Sequence, residues 1–229
     1  MIFITDNFIL KPDNALSVKI GSVFSAYGNK YDFCKLYSHR DEKGNSCNIL
    51  KFGSAFTVDA DYYSSEITEF ITFSGYSEVQ SSYKLLSEYD SKIVLKTENK
   101  NIKDVMTSSV DYFGAYNILS QDLPLPEFDE WYVDISHRVR HSSAILFCDS
   151  NSCAVVLKYK DFYYINGFAV TRENRGNGCG KKFLTEIISS LNGIVYVAAD
   201  VGVDKFYVSC GFGQICQLYY SEGENVHTV

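Results

Sequence analysis

The sequence predicts a mixed α/β (α+β) fold, with a mostly antiparallel sheet flanked by helices and a smaller α+β domain in front of it. Three observations carry this. Residues 143–148, 153–159 and 162–171 are β-prone runs separated by polar turns, which is the pattern of an antiparallel meander. A glycine-rich turn, Arg175-Gly-Asn-Gly-Cys-Gly180, follows them and opens a one-faced helix. The polar run Thr97-Glu-Asn-Lys-Asn-Ile-Lys-Asp104 sets a domain boundary near residue 100, giving an N-terminal domain over 1–100 and a second over 101–229.

At 229 residues, with 46% hydrophobic and 21% charged positions, the chain has the composition of a packed globular protein that needs no staples. Its net charge of -7 argues against general affinity for nucleic acid or anionic membrane, since phosphate binding draws on clustered Lys and Arg. The seven cysteines (34, 47, 148, 153, 179, 210 and 216) show no close pairing of a zinc or redox motif and fit reduced thiols in the cytoplasm. No metal is expected. The start, MIFITDNFILKPDN, meets Asp6 before any long apolar run and does not read as a signal peptide. No apolar stretch approaches the ~18 residues of a membrane span.

In chain order, the pattern predicts a helix near 13–26 and strands at 33–39 and 48–58. A helix follows over 62–73, with Ile67, Phe70, Ile71 and Phe73 facing the core and Gly75 ending it. Residues 91–96 read as a strand, and 97–104 as a loop or linker. Helices around 109–119 and 127–140 are separated by Leu123-Pro-Leu-Pro126, whose prolines break any continuous helix. After the meander, Phe183, Leu184, Ile187, Ile188 and Leu191 mark one helix face, closed by Asn192-Gly193. A strand over 194–199, a short helix over 203–209 and a strand over 214–220 complete the chain. No internal repeat is visible in the sequence.

The chemistry concentrates at the glycine turn. Glycines let backbone amides approach a ligand without Cβ interference, and a helix N-terminus adds partial positive charge, so the turn suits a phosphate or pyrophosphate. Lys181 and Lys182 oppose the helix dipole unless an anion sits there, and such an anion would also pair with Arg175; taken alone, the two lysines are ordinary surface residues. A Walker loop fails, because Arg175 stands where its first glycine belongs and Lys182 where its Ser or Thr belongs. A dinucleotide fingerprint fails too, with Lys181 in place of its third glycine.

What matches is Arg-x-x-Gly-x-Gly. The passage Val170-Thr-Arg-Glu-Asn-Arg-Gly-Asn-Gly-Cys-Gly180 resembles the pyrophosphate loop of the GNAT superfamily of acetyltransferases, with Arg172 where that family often has proline and Asn174 where it often has an aromatic. A second block agrees downstream: Tyr207 and Gly211-Phe212 match the family pattern, while Asp200 and Val203 replace its usual Asn and Ala. The resemblance runs from about residue 101 onward, and related members carry an additional N-terminal domain.

The resemblance implies a GNAT-type fold and direct transfer of an acetyl group from acetyl-CoA, the cosubstrate, to a primary amine of an unidentified acceptor. Strand residues Phe168, Ala169 and Val170 would splay from their neighbour and offer backbone groups to the pantetheine arm, with the amide near Val170 as oxyanion donor. Amides of the turn, from Arg175 through Gly176, Asn177, Gly178, Cys179 and Gly180, would hold the pyrophosphate, with Lys181 beside it. Tyr207 is the candidate proton donor, because a phenol with pKa near ~10 can protonate a thiolate and stay neutral at working pH. Asp200, Glu130, Asp134 and His137 are open alternatives for a general base. Cys179 and Cys210 have no nearby His and read as structural, and Trp131 and the aromatics from Tyr159 to Tyr164 as core. A rival expectation from another class is a catalytically weak sensor or interaction module that binds acyl-CoA.

Overall fold

The computed structural model describes residues 1–102, 106 and 111–223. The chain divides into two compact units, Met1–Val94 with the segment from Cys216 onward, and Leu95–Ile215. The backbone therefore passes between units twice, where the sequence reading set one boundary near residue 100.

The first unit begins with β1 (Ile2–Ile4) and α1 (Ala15–Tyr27). Asn14 caps α1 by accepting from Leu16 N at 3.0 Å, which satisfies one of the helix's orphan amides. Strands β2 (Cys34–Arg40), β3 (Ser46–Phe52) and β4 (Ala55–Val58) form an antiparallel meander. The single strand expected over 48–58 is thus two, because Gly53 takes φ +61° and turns the chain back on itself. Helix α2 (Ser65–Ser74) carries the chain to β5 (Glu78–Ser81), which pairs parallel to β4. Ile67 and Ile71 are buried and Phe70 packs beside them, as expected. Phe73 is 95% exposed, because two residues beyond Ile71 is the opposite side of a 3.6-residue turn.

Strand β6 (Asp90–Asn99) leads out of the first unit, so Thr97 to Asn99 continue a strand where a loop was expected. Residues 103–105 and 107–110, part of the expected linker and of the start of the next helix, lie outside the described residues. Helices α3 (Tyr112–Leu119) and α4 (Phe128–Arg140) precede a second antiparallel meander of β7 (Ala144–Cys148), β8 (Ser152–Tyr159) and β9 (Phe162–Val170). A single 3₁₀ turn (Arg172–Asn174) and α5 (Cys179–Ser190) then lead to β10 (Gly193–Ala199), parallel to β9, followed by α6 (Asp204–Ser209) and β11 (Gly213–Glu222). The second unit orders its strands β6-β10-β9-β8-β7, and the first β1-β2-β3-β4-β5-β11. Tyr219–Glu222 pair with β5, which is why the chain end belongs to the first unit.

Each unit is therefore an antiparallel meander followed by a crossover helix and a parallel strand. This repeat is topological and has no trace in side chains, so the sequence did not disclose it. In the second unit β8 is buried on both faces, with Cys153 to Leu157 all at 3% exposure or less. Phe183, Leu184 and Ile187 of α5 cover one face. Leu119 and Leu123 meet the other at Gly167, where an added Cβ would lie 3.2 Å from Leu123 Cδ1. The expected Asn192-Gly193 cap is replaced: Asn99 Nδ2 donates to the carbonyls of Ile188 (3.0 Å) and Leu191 (2.9 Å) at the end of α5. Among the described residues no helix is long and apolar enough to cross a membrane.

Candidate active site

In the second unit β9 outruns its parallel partner. Its register with β10 covers Phe162–Ile165 against Ile194–Val197, whereas its register with β8 continues to Val170 opposite Ser152. Past a bulge at Asn166 the strand thus stays joined to β8 from Gly167 to Val170 without a β10 partner, and those of its peptide groups that point away from β8 are open to a ligand. Side chains alternate along this overhang. Phe168 turns toward Phe183 and Phe206, with ring centroids 6.1 and 5.7 Å away, and Val170 turns the same way toward Gly180. Ser152 Oγ, opposite Val170, is buried with no hydrogen-bond partner among the described residues.

The turn after β9 is held from three sides. Thr171 N donates to Asn151 O at 2.8 Å, and Asn174 Nδ2 donates to Thr171 Oγ1 at 2.9 Å and Asn151 Oδ1 at 3.2 Å. Asn174 thereby serves the turn where the family resemblance leads one to expect an aromatic. Arg175 Nε donates to Val170 O at 2.9 Å, and its guanidinium pairs with Asp122. Arg172 Nη2 donates to Gln121 O at 2.9 Å. The Arg175 side chain thus braces the loop through Val170 O and Asp122. Asp122 was not found from sequence, since it lies more than fifty positions upstream of the arginine it binds.

Beyond the clamp, Gly176 (φ +76°) and Gly178 (φ +80°) adopt left-handed conformations that strain any other residue. Gly178 is the N-cap of α5 and offers no side-chain acceptor. The first helical bond is Lys182 N to Gly178 O at 3.0 Å, so the amides of Cys179, Gly180 and Lys181 precede it and have no partner within the helix. No acidic residue stands in the first turn, and Lys181 and Lys182 are exposed. The helix end is thus a positive, glycine-rich cradle that fits an anion. Gly180 has a second duty, because a Cβ there would lie 3.1 Å from Val170 Cγ2 and 3.5 Å from Phe206 Cζ. It lets α5 dock against the overhang.

Tyr207 is 7% exposed on α6 and stands edge-on to Phe168, Phe206 and Phe212, at centroid distances of 6.5, 5.1 and 5.7 Å. Phe212 N donates back to Tyr207 O at 3.1 Å, and Gly211 at φ +92° makes that return possible, which explains the Tyr-x-x-x-Gly-Phe spacing. Burial, with a smaller contribution from Cys210, pushes the Tyr207 phenol well above its usual range. Tyr207 and the overhang at Phe168 are therefore brought together by the fold.

Two of the candidate bases have partners on their own helix. Asp134 Oδ1 takes Arg138 Nε at 2.7 Å, and His137 lies ring to ring with His141 at 4.3 Å. Helix α4, which also bears Glu130, packs on β7 and α3, two strands away from the overhang. Asp200 is exposed at the end of β10, where its carbonyl accepts from Val203 N at 3.0 Å. The buried acid nearby is Asp204, missed from sequence, whose carboxylate accepts from Gly202 N at 2.7 Å and Gln214 Nε2 at 2.8 Å and so fixes the start of α6. Trp131 is buried, as expected.

No protein-family model and no curated protein matches the chain. Solved structures do. A GCN5-related N-acetyltransferase from Sphaerobacter thermophilus aligns over 100% of this chain and 98% of its own, with a TM-score of 0.55 at 12% identity. A GCN5-related N-acetyltransferase from Kribbella flavida aligns over 80% of this chain and 88% of its own, with a TM-score of 0.51 at 11% identity. With the β9 overhang, the glycine cradle and the Tyr207 corner in place, the chain carries the fold of the GNAT superfamily.

Proposed function

We propose that the chain is an N-acyltransferase that passes an acetyl group from acetyl-CoA directly to a primary amine. The observation that carries this reading is the overhang of β9 running into the glycine-rich N-terminus of α5. One strand edge and one helix end then offer amides along a single path, as a ligand with an amide-bearing arm and a pyrophosphate requires. When bound, acetyl-CoA supplies an activated thioester.

The protein's own groups would do the rest. The amides of Gly176 to Lys181 donate to the pyrophosphate oxygens, and those of Phe168 to Val170 orient the arm, the Val170 amide donating to the carbonyl oxygen as charge gathers there. Arg175 and Asp122 hold the loop so that these amides need no rearrangement. Tyr207 keeps its proton at Oη and donates a hydrogen bond toward the departing sulfur. Full transfer to a thiolate of pKa about 8.5 is uphill for a phenol raised by burial, so Tyr207 acts as a hydrogen-bond donor that stabilises the departing thiolate, which takes its proton from solvent. The amine must arrive neutral, and solvent takes its proton.

A second reading, an acyl-CoA-binding sensor, draws on the distance of α4 from the overhang and on the raised Tyr207. Titration calorimetry with acetyl-CoA, followed by thiol release over a broad panel of primary amines, separates the two. Binding with amine-dependent thiol release supports the transferase; binding with no turnover across the panel supports the sensor; no binding removes both.

A further inference from the structure

We propose that Cys148 and Cys153 are an oxidative modification site, forming a reversible disulfide across the β7–β8 hairpin. The two stand directly opposite each other in the strand register. Asp149 N donates to Ser152 O at 2.9 Å, which makes 149 and 152 the hydrogen-bonded pair at the end of the ladder. Antiparallel pairs alternate, so 148 and 153 form the non-hydrogen-bonded pair, whose Cα atoms lie about 4.5 Å apart with side chains on one face. That separation lies inside the range a disulfide spans. The turn is pinned, since Asp149 Oδ1 accepts from Asn151 N at 2.7 Å and Ser152 N at 2.6 Å, and the register cannot slip.

The pair is also divided chemically. Cys153 is fully buried and Cys148 is partly exposed. The neighbouring Cys153 thiol draws the Cys148 thiol below its usual range, while Cys148 and burial hold Cys153 far above it; Cys148 Sγ also donates to Asp149 O at 3.4 Å. Cys148, the partly exposed member, is therefore the sulfur that meets an oxidant, and Cys153, buried behind it, the thiol that resolves it. The other five cysteines lack this arrangement. Cys34 faces Phe52, Cys47 faces His39, Cys179 lies on α5, Cys210 ends α6, and the Cys216 thiol is raised by burial.

With hydrogen peroxide as oxidant, the Cys148 thiol gives its proton to solvent, its sulfur attacks one peroxide oxygen, the O–O bond breaks, and Cys148 becomes a sulfenic acid as the departing hydroxide takes a proton back from solvent and leaves as water. The Cys153 sulfur then attacks the Cys148 sulfur; the S–S bond forms, the S–O bond breaks, and the departing hydroxide takes the Cys153 proton as a second water. Two thiols are oxidised and one peroxide is reduced. The closed loop holds only Asp149 to Ser152 between the cysteines, so the bond removes little chain entropy and an ordinary dithiol reopens it.

The test treats the full chain with a small excess of hydrogen peroxide, blocks remaining thiols with N-ethylmaleimide and digests with trypsin. The peptide from His141 to Lys158 holds both cysteines and none of the others. It should emerge unlabelled and about 2 Da lighter than the reduced peptide, ahead of oxidation at the other five cysteines, and should regain two labels after dithiothreitol. Cys153→Ala should leave Cys148 as a sulfenic acid that dimedone traps, and Cys148→Ser, at a partly exposed position, should abolish the mass loss. A wild-type peptide that keeps both labels while other cysteines react, or that passes to the sulfinic acid at Cys148 without the mass loss, overturns the proposal.

Discussion

The turns after β4 and after β9 occupy the same place in the same topology, yet they are built for opposite purposes. After β4, Ser82 N donates to Val58 O at 3.1 Å, so the parallel strands stay joined past the end of β5. The residues there are acidic. Asp59, with no exposure, accepts from Asn48 N at 2.7 Å and Asn48 Nδ2 at 2.6 Å, and Lys11 Nζ donates to Asp59 O at 2.9 Å and to Asp61 at 2.8 Å. Burial raises the Asp59 carboxyl, and Lys11 and Asn48 oppose that rise. After β9 the strands part, glycines replace the acids, and the carboxylate that matters, Asp122, restrains arginines beside the cradle instead of filling it. Topology sets where a ligand site can lie, and the side chains at the turn decide whether one exists. The first unit also holds a cavity of about 570 Å³ lined by Lys11, Asn14, Asp61 and Leu218, in which Lys11 is paired with Asp61.

Breaking the closed turn should give the largest effect. Asp59→Ala leaves the Asn48 donors buried without an acceptor and should cost about 3 kcal/mol of stability, read as a lower urea midpoint, while acetyl-CoA affinity of the folded fraction stays unchanged. Closing the open turn is next. Gly178→Glu puts a carboxylate and a strained φ at the N-cap of α5 and should weaken acetyl-CoA binding about 100-fold, close to 2.7 kcal/mol. Tyr207→Phe should lower kcat about 30-fold, with the acetyl-CoA dissociation constant within about twofold of wild type. The phenol works in its protonated form and burial disfavours the phenolate, so Tyr207 should cause no fall in rate up to about pH 10. An unchanged rate at saturating substrate would remove Tyr207 from the mechanism. Asp122→Asn should have the smallest effect: it loosens the clamp on Arg172 and Arg175 and should raise the KM for acetyl-CoA about threefold with kcat held, because a half-exposed ion pair contributes little.

The second unit was legible where the chemistry is local. Two left-handed glycines, a helix start and the Tyr-x-x-x-Gly-Phe return are each set by residues adjacent in sequence, and the strand and helix pattern from 143 to 209 emerged with small shifts at the ends. What stayed hidden depends on long-range partners. Asp122 reaches Arg175, Asn99 caps α5 from ninety residues upstream, and Phe73 points outward by a rotation the apolar spacing alone does not weigh. The repeated topology stayed hidden for the same reason, since pairing order leaves no residue signature when one copy carries glycines and the other aspartates.

The measurement that bears most directly on the central claim is the stoichiometry of acetyl-CoA binding by titration calorimetry on the full chain and on Gly178→Glu. One acetyl-CoA per wild-type chain, with affinity reduced about 100-fold in the variant, is the result expected if the open turn is the cradle and the closed turn is not. No binding to the wild type, or undiminished binding to Gly178→Glu, would contradict it.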